Sequence, residues 1–231
     1  METMVLANKY FMEKWPDASK TIITDSEHPE DIWTRAVYYE GLMALYKLNP
    51  DQSYLTYALS WCEFHKWGLY DGIKTRVAEN QCCGQTYIDL YLMNRYKEER
   101  IRDIRASVDS MIVSDKTDDW NTIDALQMAM PVFARLGFVF KDDSYYDRMH
   151  GMYLFTKLKA GTNGLYNTED HLWWRDKDFV PPYKEPNGQN CYWSRGNGWV
   201  VAALVRSMEF LPKNSKYWRE YSNTLKEARS V

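Results

Sequence analysis

An arginine lies between two tryptophans in the stretch CYWSRGNGWVVAALV, residues 191–205, immediately before a run of apolar residues. Indole rings present large flat apolar faces to a ligand, and a guanidinium can bind a carboxylate through two parallel hydrogen bonds. Trp193, Arg195 and Trp199 are therefore candidates to bind a flat, negatively charged ligand. The alternative is a stacked cluster that only fixes the surrounding loop. Asn197, between two glycines, could cap the helix that we expect to begin at residue 198.

A second cluster of the same chemistry occurs upstream, where Trp173, Trp174 and Arg175 are consecutive. Two such clusters in one segment favour a binding role over a purely structural one. Trp174 and Arg175 are therefore added to the candidate ligand-binding residues.

Asp124 is the most unusual carboxylate of the chain, because its neighbours in WNTIDALQMAMPVFARLG are apolar on most faces of a predicted helix. Burying a charged carboxylate is costly unless it is paired. One interpretation is that Asp124 caps this helix in its first turn. The other is a carboxylic acid whose raised pKa keeps it protonated, so that it acts as a general acid.

Three further residues are candidates because they lie at predicted helix starts. Glu79 and Asn80 immediately precede the apolar segment CCGQTYIDLY, and Trp33 begins DIWTRAVYYEGLMALY. The alternative for Asn80 is an N-cap, and for Trp33 it is core packing. Glu79 provides a carboxylate at the start of a predicted helix, whereas Asn80 and Trp33 are candidates for ligand binding.

Composition excludes several function classes. The net charge of -3, with acidic and basic residues interspersed, provides no basic face for nucleic acid and no polybasic run for lipid. The four histidines have no metal-ligand spacing, and the chain lacks zinc, phosphate-loop and serine-hydrolase motifs. We therefore expect no metal and no cofactor. The four cysteines show no paired spacing, and we expect them to be buried, small apolar residues.

The chain carries no apolar run long enough to span a bilayer, and its first residues lack the features of a signal peptide. We therefore expect a soluble protein without a membrane partner, in the cytoplasm or the periplasm.

Apolar residues recur at helical spacing over most of the chain. This pattern predicts helices over residues 2–14, 31–48, 52–67, 81–95, 98–113, 120–137, 143–159, 198–211 and 215–229. Gly137 and Pro212 are among the residues that we expect at helix ends. Strand-like alternation is short and confined to residues 160–195.

Four segments share one plan, an apolar helix followed by a polar turn and an amphipathic helix, and they begin at residues 41, 84, 124 and 198. Repeated helix pairs predict stacked αα-hairpins, either an open solenoid or a closed double ring. The first helix of each pair is apolar almost all round, which favours a barrel with inner and outer rings. Residues 161–197 are too long and too aromatic for an ordinary connection, and we expect them to form a wall of the binding cleft.

With these residues assembled, the chain resembles the unsaturated glucuronyl and rhamnogalacturonyl hydrolases, families 88 and 105 of the glycoside hydrolases. The segments that carry the resemblance are WTRAVYYEGLMALY, AENQCCGQTYIDLY, IDALQMAMPVFARLG, GLYNTEDHLWWRD and YWSRGNGWVVAAL. The match is closest to the rhamnogalacturonyl type. It implies an all-α fold, an (α/α)6 barrel of the six-hairpin type, and hydrolysis of oligosaccharides that polysaccharide lyases release, such as those from pectin.

The chemistry of these families starts from a terminal 4,5-unsaturated uronic acid. A carboxylic acid protonates C4, water adds at C5, and the resulting hemiketal opens to release the remaining saccharide. No glycosyl-enzyme intermediate forms, so the carboxylate-separation rules of other glycosidases do not transfer.

The resemblance assigns roles to particular residues. Asp124 falls on the catalytic aspartate, and Glu79 falls on a second acidic position that is usually Asp in the family. Trp193, Arg195 and Trp199 fall on the motif WxRGNGW, with Arg195 expected near the uronate carboxylate. Many members carry a histidine where this chain has Thr168, and the nearest histidine is His171.

Two departures from the family pattern bear on activity. Asn121 and Thr122 replace residues that are often aromatic, and we expect this change to raise the pKa of Asp124 less. The chain also provides about nine helices for a ring of six pairs, so we expect a single, incomplete barrel domain over residues 1–231. An incomplete ring would expose apolar inner faces and promote self-association.

Two other functions stay open. One is a carbohydrate-binding remnant that holds a uronate without catalysis, and the other is an αα-repeat interaction module. The repeat alone fits the second, but the aromatic loop does not.

Overall fold

The computed structural model describes residues 1–23, 27–28, 33–93 and 97–228. Nine α-helices of ten or more residues and one four-residue helix lie in these ranges. They are Glu2–Lys14 (α1), Trp33–Leu48 (α2), Gln52–Phe64 (α3), Ala78–Gln81 (α4), Gly84–Met93 (α5), Arg102–Ile112 (α6), Asp124–Phe140 (α7), Asp143–Leu158 (α8), Ser194–Met208 (α9) and Trp218–Ala228 (α10). None of these helices combines the length and the hydropathy that crossing a membrane requires.

Four two-residue strands complete the regular structure in the described ranges. Ile22–Ile23 (β1) pairs with Glu27–His28 (β2), and Tyr166–Asn167 (β3) pairs with Leu172–Trp173 (β4), both antiparallel. The second pair lies in the predicted strand-like region. The first pair shows that confining strands to residues 160–195 was wrong, because a two-residue ladder is too short to produce an alternating pattern.

The predicted helices are confirmed as elements, with shifted ends. The helix predicted over 81–95 corresponds to α5 and shares only its first residue with α4, and the one predicted from 120 begins at Asp124. Short 3₁₀ turns precede two helices, at Gly72–Lys74 and Glu98–Arg100. Residues 31–32, 94–95 and 229 of the predicted helices lie outside the described residues.

Gly137 does not end its helix, contrary to the prediction. The helix α7 continues to Phe140 and ends at Lys141, whose left-handed backbone turns the chain and whose N–H donates to the Gly137 carbonyl. A Cβ on Gly137 would lie 2.7 Å from the Tyr146 ring. The glycine therefore permits the close packing of α8 on α7, and its signal in the sequence was misread as a stop.

The chain divides into two compact units. The first comprises residues 1–75 and 80–107, and the second comprises residues 76–79 and 108–231. In the first unit, α2, α3 and α5 pack together, and the rings of Tyr39 and Trp61 stack with centroids 4.2 Å apart. The single-domain expectation stays a prediction.

The second unit is built around α7. Every residue from Ala125 to Gly137 is buried, and the helix packs against both α8 and α9. The helix α9 is less enclosed, since Val201 and Val205 are 39% and 47% exposed. The expectation of inner helices that are buried all round therefore holds for α7 and not for α9.

Candidate active site

Asp124 is the first residue of α7 and its carboxyl group is half-buried. The N-cap position is Ile123, and no side-chain hydrogen bond caps the helix. Asp124 is therefore not the N-cap of this helix, although its carboxyl group accepts from its own backbone N–H. Its carboxyl group is left available for chemistry at the start of a buried helix.

The environment of Asp124 favours its protonated form. Burial raises the pKa of its carboxyl from 3.8 to about 6, and the negative charge of Glu79 acts in the same direction. A hydrogen bond from its own backbone N–H and the charges of Arg175 and Arg195 lower the pKa to a smaller extent. A carboxylic acid with a pKa near 6 can donate a proton close to neutral pH.

The segment before Asp124 departs from the family pattern without removing this effect. Asn121 is exposed, and Thr122 forms an isolated antiparallel bridge with Asp176. Trp120 is fully buried against Phe133, with ring centroids 5.5 Å apart. Burial is still the largest cause of the raised pKa of Asp124.

Glu79 lies in α4 and is half-buried. It belongs to the same compact unit as Asp124, through the segment of residues 76–79. The structure therefore brings together the two carboxylates that the sequence singled out, close enough for the charge of one to raise the pKa of the other.

Trp193, Arg195 and Trp199 form one cluster at the start of α9. The Arg195 guanidinium carbon lies 4.4 Å from the Trp193 ring centre and 5.5 Å from that of Trp199. The two indoles meet edge to face, with centroids 5.3 Å apart. Arg195 is exposed, and among the described residues none forms an ion pair or hydrogen bond with its guanidinium. This group can therefore receive a carboxylate.

Gly196 joins this cluster to the start of α7. A Cβ at this position would lie 2.5 Å from the Trp193 ring and 2.7 Å from the side chain of Ile123, which precedes Asp124. In contrast, a Cβ on Gly198 would meet no atom within 4 Å. The close approach of Trp193 and Ile123 therefore requires a glycine at position 196, the first glycine of the RGNG sequence.

Asn197 is used by the protein itself. Its Oδ1 accepts from the Trp173 N–H at 2.8 Å, and its Nδ2 donates to the Trp173 and Trp193 carbonyls at 2.9 and 3.1 Å. The helix begins at Ser194 with Trp193 as N-cap, so the expected cap at Asn197 and the start at residue 198 were wrong. The side chain fixes β4 to α9, and its substrate-binding role stays a prediction.

Of residues 173–175, the first lies in the buried core and the other two are more accessible. Trp173 is buried beside Tyr166, whereas Trp174 is half-buried with its ring centre 5.9 Å from that of Tyr192. Arg175 donates from Nε to Asp176 at 2.7 Å, and its backbone carbonyl accepts from the Ile123 N–H at 3.0 Å. The long loop is therefore hydrogen-bonded directly to the residue before Asp124.

Sequence reasoning missed the network that holds the end of this loop. The Asp170 Oδ2 accepts from Asn167 Nδ2 at 3.0 Å, Asn190 Nδ2 at 3.0 Å and Tyr192 Oη at 2.5 Å. Tyr192 immediately precedes Trp193, so the network restrains the chain segment that leads into the cluster of Trp193, Arg195 and Trp199. Only the density of polar and aromatic residues in the loop indicated it.

Three other expectations can be placed. His171 Nδ1 lies 3.3 Å from the Tyr166 hydroxyl. Cys62, Cys82 and Cys83 are buried, as expected, but Cys191 is half-buried and a hydrogen bond to Glu185 raises the pKa of its thiol.

Trp33 and Asn80 belong to the first unit, where the Asn80 amide donates to Asp71 and Thr75. Asn80 lies inside α4, so it is not the N-cap of α5, and the substrate contacts of both residues stay predictions.

A carboxylic acid with a raised pKa and a tryptophan-arginine cluster thus lie in one compact unit, on a framework of paired helices. The model of Glycosyl Hydrolase Family 88 matches residues 3–231, and the chain belongs to this family. The resemblance seen in the sequence is thereby confirmed.

A curated relative, the unsaturated 3S-rhamnoglycuronyl hydrolase of Formosa agariphila, is 28% identical over 217 residues. This alignment covers 86% of the chain and 56% of the relative. The chain thus spans little more than half of this relative's length.

Two solved structures share the fold. One is described as a polysaccharide lyase, with 26% identity and a TM-score of 0.87, covering 99% of this chain and 64% of that one. The other is a family 88 glycosyl hydrolase from Bacteroides vulgatus, with 24% identity and a TM-score of 0.85, covering 99% and 67%. The predicted all-α class and six-hairpin type of fold are confirmed.

Proposed function

We propose that the protein is a glycoside hydrolase that removes a terminal 4,5-unsaturated uronic acid from lyase-generated oligosaccharides by hydrating the C4=C5 bond. The observation that carries this proposal is the placement of Asp124, whose pKa is about 6, in one unit with the exposed guanidinium of Arg195. An acid that can protonate an enol ether and a cation that can bind its carboxylate are the two groups that this reaction needs.

Asp124 acts first as the acid. It transfers its proton to C4, which leaves positive charge shared between C5 and the ring oxygen. Water adds at C5 and loses a proton to the Asp124 carboxylate, which regenerates the residue. The resulting hemiketal then opens and releases the remaining saccharide. The negative charge of Glu79 keeps Asp124 protonated before the transfer and stabilises the cation after it.

Arg195 and its two tryptophans hold the sugar. The guanidinium binds the uronate carboxylate through two parallel hydrogen bonds, and the indoles at 4.4 and 5.5 Å restrict its orientation. Arg175 contributes a second positive charge. This charge lowers the pKa of Asp124 and also attracts an anionic substrate. Trp174 extends the aromatic surface on the same loop.

The test is the ultraviolet absorbance of the C4=C5 bond. The first substrates are chosen from the name of the Formosa agariphila relative: unsaturated glucuronyl-rhamnose with and without sulfate on the rhamnose. They are compared with unsaturated galacturonyl-rhamnose from pectin. Loss of absorbance that Asp124→Asn abolishes supports the proposal. Binding without loss supports a non-catalytic carbohydrate-binding protein, and neither binding nor loss supports an interaction module.

A second candidate function is favoured by the solved structure described as a polysaccharide lyase, at 26% identity. A lyase creates the C4=C5 bond, so its absorbance change has the opposite sign. The same spectrophotometer therefore separates the two reactions when intact polysaccharide and unsaturated oligosaccharide are supplied in parallel. Growth of absorbance on the polysaccharide would favour the lyase.

We also propose that the chain self-associates through the exposed apolar face of α9. Val201 and Val205, one helical turn apart, are exposed there, and Leu204 and Ala228 line the adjoining groove between α9 and α10. Sedimentation velocity should show a concentration-dependent dimer that Val201→Asp weakens. A wild-type chain that stays monomeric at every concentration contradicts this proposal.

A further inference from the structure

Arg76 and Asp119 form a two-pronged ion pair. The Arg76 Nε lies 2.9 Å from Asp119 Oδ1, and its Nη2 lies 2.6 Å from Oδ2. The Asp119 side chain is only 2% exposed, and that of Arg76 is 24% exposed. Such a parallel contact between planar groups fixes both distance and orientation.

A second cation near Asp119 does not offer the same constraint. Lys116 Nζ lies 3.1 Å from Asp119 Oδ1, but its side chain is 55% exposed. An ammonium on a flexible stem restrains direction weakly compared with a guanidinium. The Arg76 Nη2 also donates to the Lys116 carbonyl at 3.2 Å, which adds a backbone anchor to the pair.

Each partner lies a few residues from one carboxylate of the candidate active site. Arg76 precedes Glu79 by three residues, and Asp119 precedes Asp124 by five. The segment after Asp119 is held firmly: Trp120 is fully buried, and its carbonyl accepts from Thr156 Oγ1 at 2.6 Å. The position of Arg76 is therefore tied to the rigid start of α7.

We propose that Arg76 is a positioning residue, whose two-pronged contact with Asp119 holds the segment of residues 76–79 so that the Glu79 carboxylate stays close to Asp124. The inference rests on the proposed function only for its kinetic consequence, because the proximity of the two carboxylates can be measured without turnover.

The direction in which the pKa of Asp124 changes when Arg76 is removed distinguishes positioning from a direct effect of the Arg76 charge. The charges that act on Asp124 are those of Glu79, Arg175 and Arg195. If Arg76 acted by its own positive charge, its removal would raise the pKa of Asp124. If it acts by holding Glu79 nearby, its removal lowers that pKa toward the ordinary value, because the neighbouring negative charge moves away.

The experiment is a carbon-13 NMR titration of aspartate carboxyl groups in the full chain, with the Asp124 signal assigned from Asp124→Asn. Arg76→Met should lower the pKa of Asp124 by most of the amount that Glu79→Gln lowers it. Arg76→Lys, which keeps the charge but loses the fork, should lower it less. In the Glu79→Gln background, Arg76→Met should cause no further fall.

Other outcomes overturn the proposal. The proposal fails if the pKa of Asp124 is unchanged or raised in Arg76→Met. It also fails if Arg76→Met lowers this pKa by the same amount in the Glu79→Gln variant as in the wild type. If Arg76→Met does not fold, Arg76→Lys decides, since a pKa equal to that of the wild type shows that the fork is not needed. Lys116→Met is the matched control and should leave Asp124 close to the wild type.

Kinetics provide the readout tied to the proposed function. Arg76→Met should lower kcat on the unsaturated oligosaccharide and leave KM nearly unchanged, because no substrate contact is removed. A wild-type chain without turnover would contradict the proposed function alone, while the NMR titration would still decide the role of Arg76.

Discussion

The guanidinium carbon of Arg195 lies 4.4 Å from the centre of the Trp193 ring, within the range of a cation-π contact, and only Ser194 separates the two residues in the sequence. The stack keeps the cation extended at the start of α9 and reduces the conformational entropy that it would lose on binding a carboxylate. The pairing therefore supports the proposed role of Arg195 in binding a carboxylate.

Replacing Arg195 with lysine should weaken binding of the unsaturated uronate. Lysine keeps the charge but cannot form two parallel hydrogen bonds or stack between the indoles, and a lost charged hydrogen bond corresponds to a 10- to 100-fold increase in KM, roughly. Initial rates across substrate concentrations measure it. Arg219→Lys, at an exposed position of α10, is the control and should leave KM unchanged. Equal KM values for the two variants would remove Arg195 from the binding site.

Asp124→Asn should abolish hydration and stabilise the fold above pH 6. Because folding raises the pKa of Asp124 from 3.8 to about 6, the folded state binds an extra proton between these values and loses the associated stability as pH rises. Asparagine never ionises, so the Tm of the Asp124→Asn variant should exceed that of the wild type at pH 8 by about 2 to 4 °C. This difference corresponds to roughly 1 kcal/mol in the free energy of unfolding after allowance for solvent screening.

The advantage of Asp124→Asn should become much smaller at pH 4, where Asp124 is protonated in the folded state and pH is close to the unfolded pKa of 3.8. Calorimetry at the two pH values checks this, and Asp115→Asn, in the exposed connection between α6 and α7, should show no such dependence. A Tm difference that is the same at pH 4 and pH 8 would mean that ionisation of Asp124 is not its source.

Activity should fall as pH rises through about 6, since the proton donor is then lost. Glu79→Gln removes the negative charge that helps to raise the pKa of Asp124, so the falling limb of the kcat/KM profile should move to lower pH. Profiles of the wild type, Glu79→Gln and the exposed control Glu209→Gln measure this shift. A limb that stays in place in Glu79→Gln would contradict electrostatic coupling between the two carboxylates.

Two glycines provide a matched pair for the packing at the start of α9. Gly196→Ala should destabilise the fold by about 1 to 3 kcal/mol, because its Cβ would lie 2.5 Å from the Trp193 ring and 2.7 Å from Ile123. Gly198→Ala, with open space around its Cβ, should stabilise α9 by up to about 1 kcal/mol. Urea unfolding measures both, and identical effects at the two positions would contradict the close approach at Gly196.

Much of the helical framework and the identity of the main chemical groups could be predicted from the sequence. Periodicity located the nine longer helices of the described residues, because each one depends on a local pattern of apolar residues. The motif WSRGNGW similarly placed Trp193, Arg195 and Trp199 within seven residues, where local geometry already brings them together.

The remaining features depended on contacts between segments that are distant in the sequence. Gly137 was predicted to end a helix, but its small size matters because the Tyr146 ring of the next helix approaches it. At Gly196 the small size matters because Ile123, from the start of α7, approaches it. Asn197 was read as a cap, yet its amide bonds to the backbone of Trp173. A partner from another segment decides each case, and no local pattern identifies it.

By itself, then, the sequence determined the helix pairs, the family and the types of group available for chemistry, because these follow from periodicity and local motifs. Only the tertiary structure decided that Asp124 is enclosed enough for its pKa to reach about 6, and that Glu79 lies near enough to contribute. The physical reason is that desolvation and charge repulsion depend on distances in space, and these distances arise only when the chain folds.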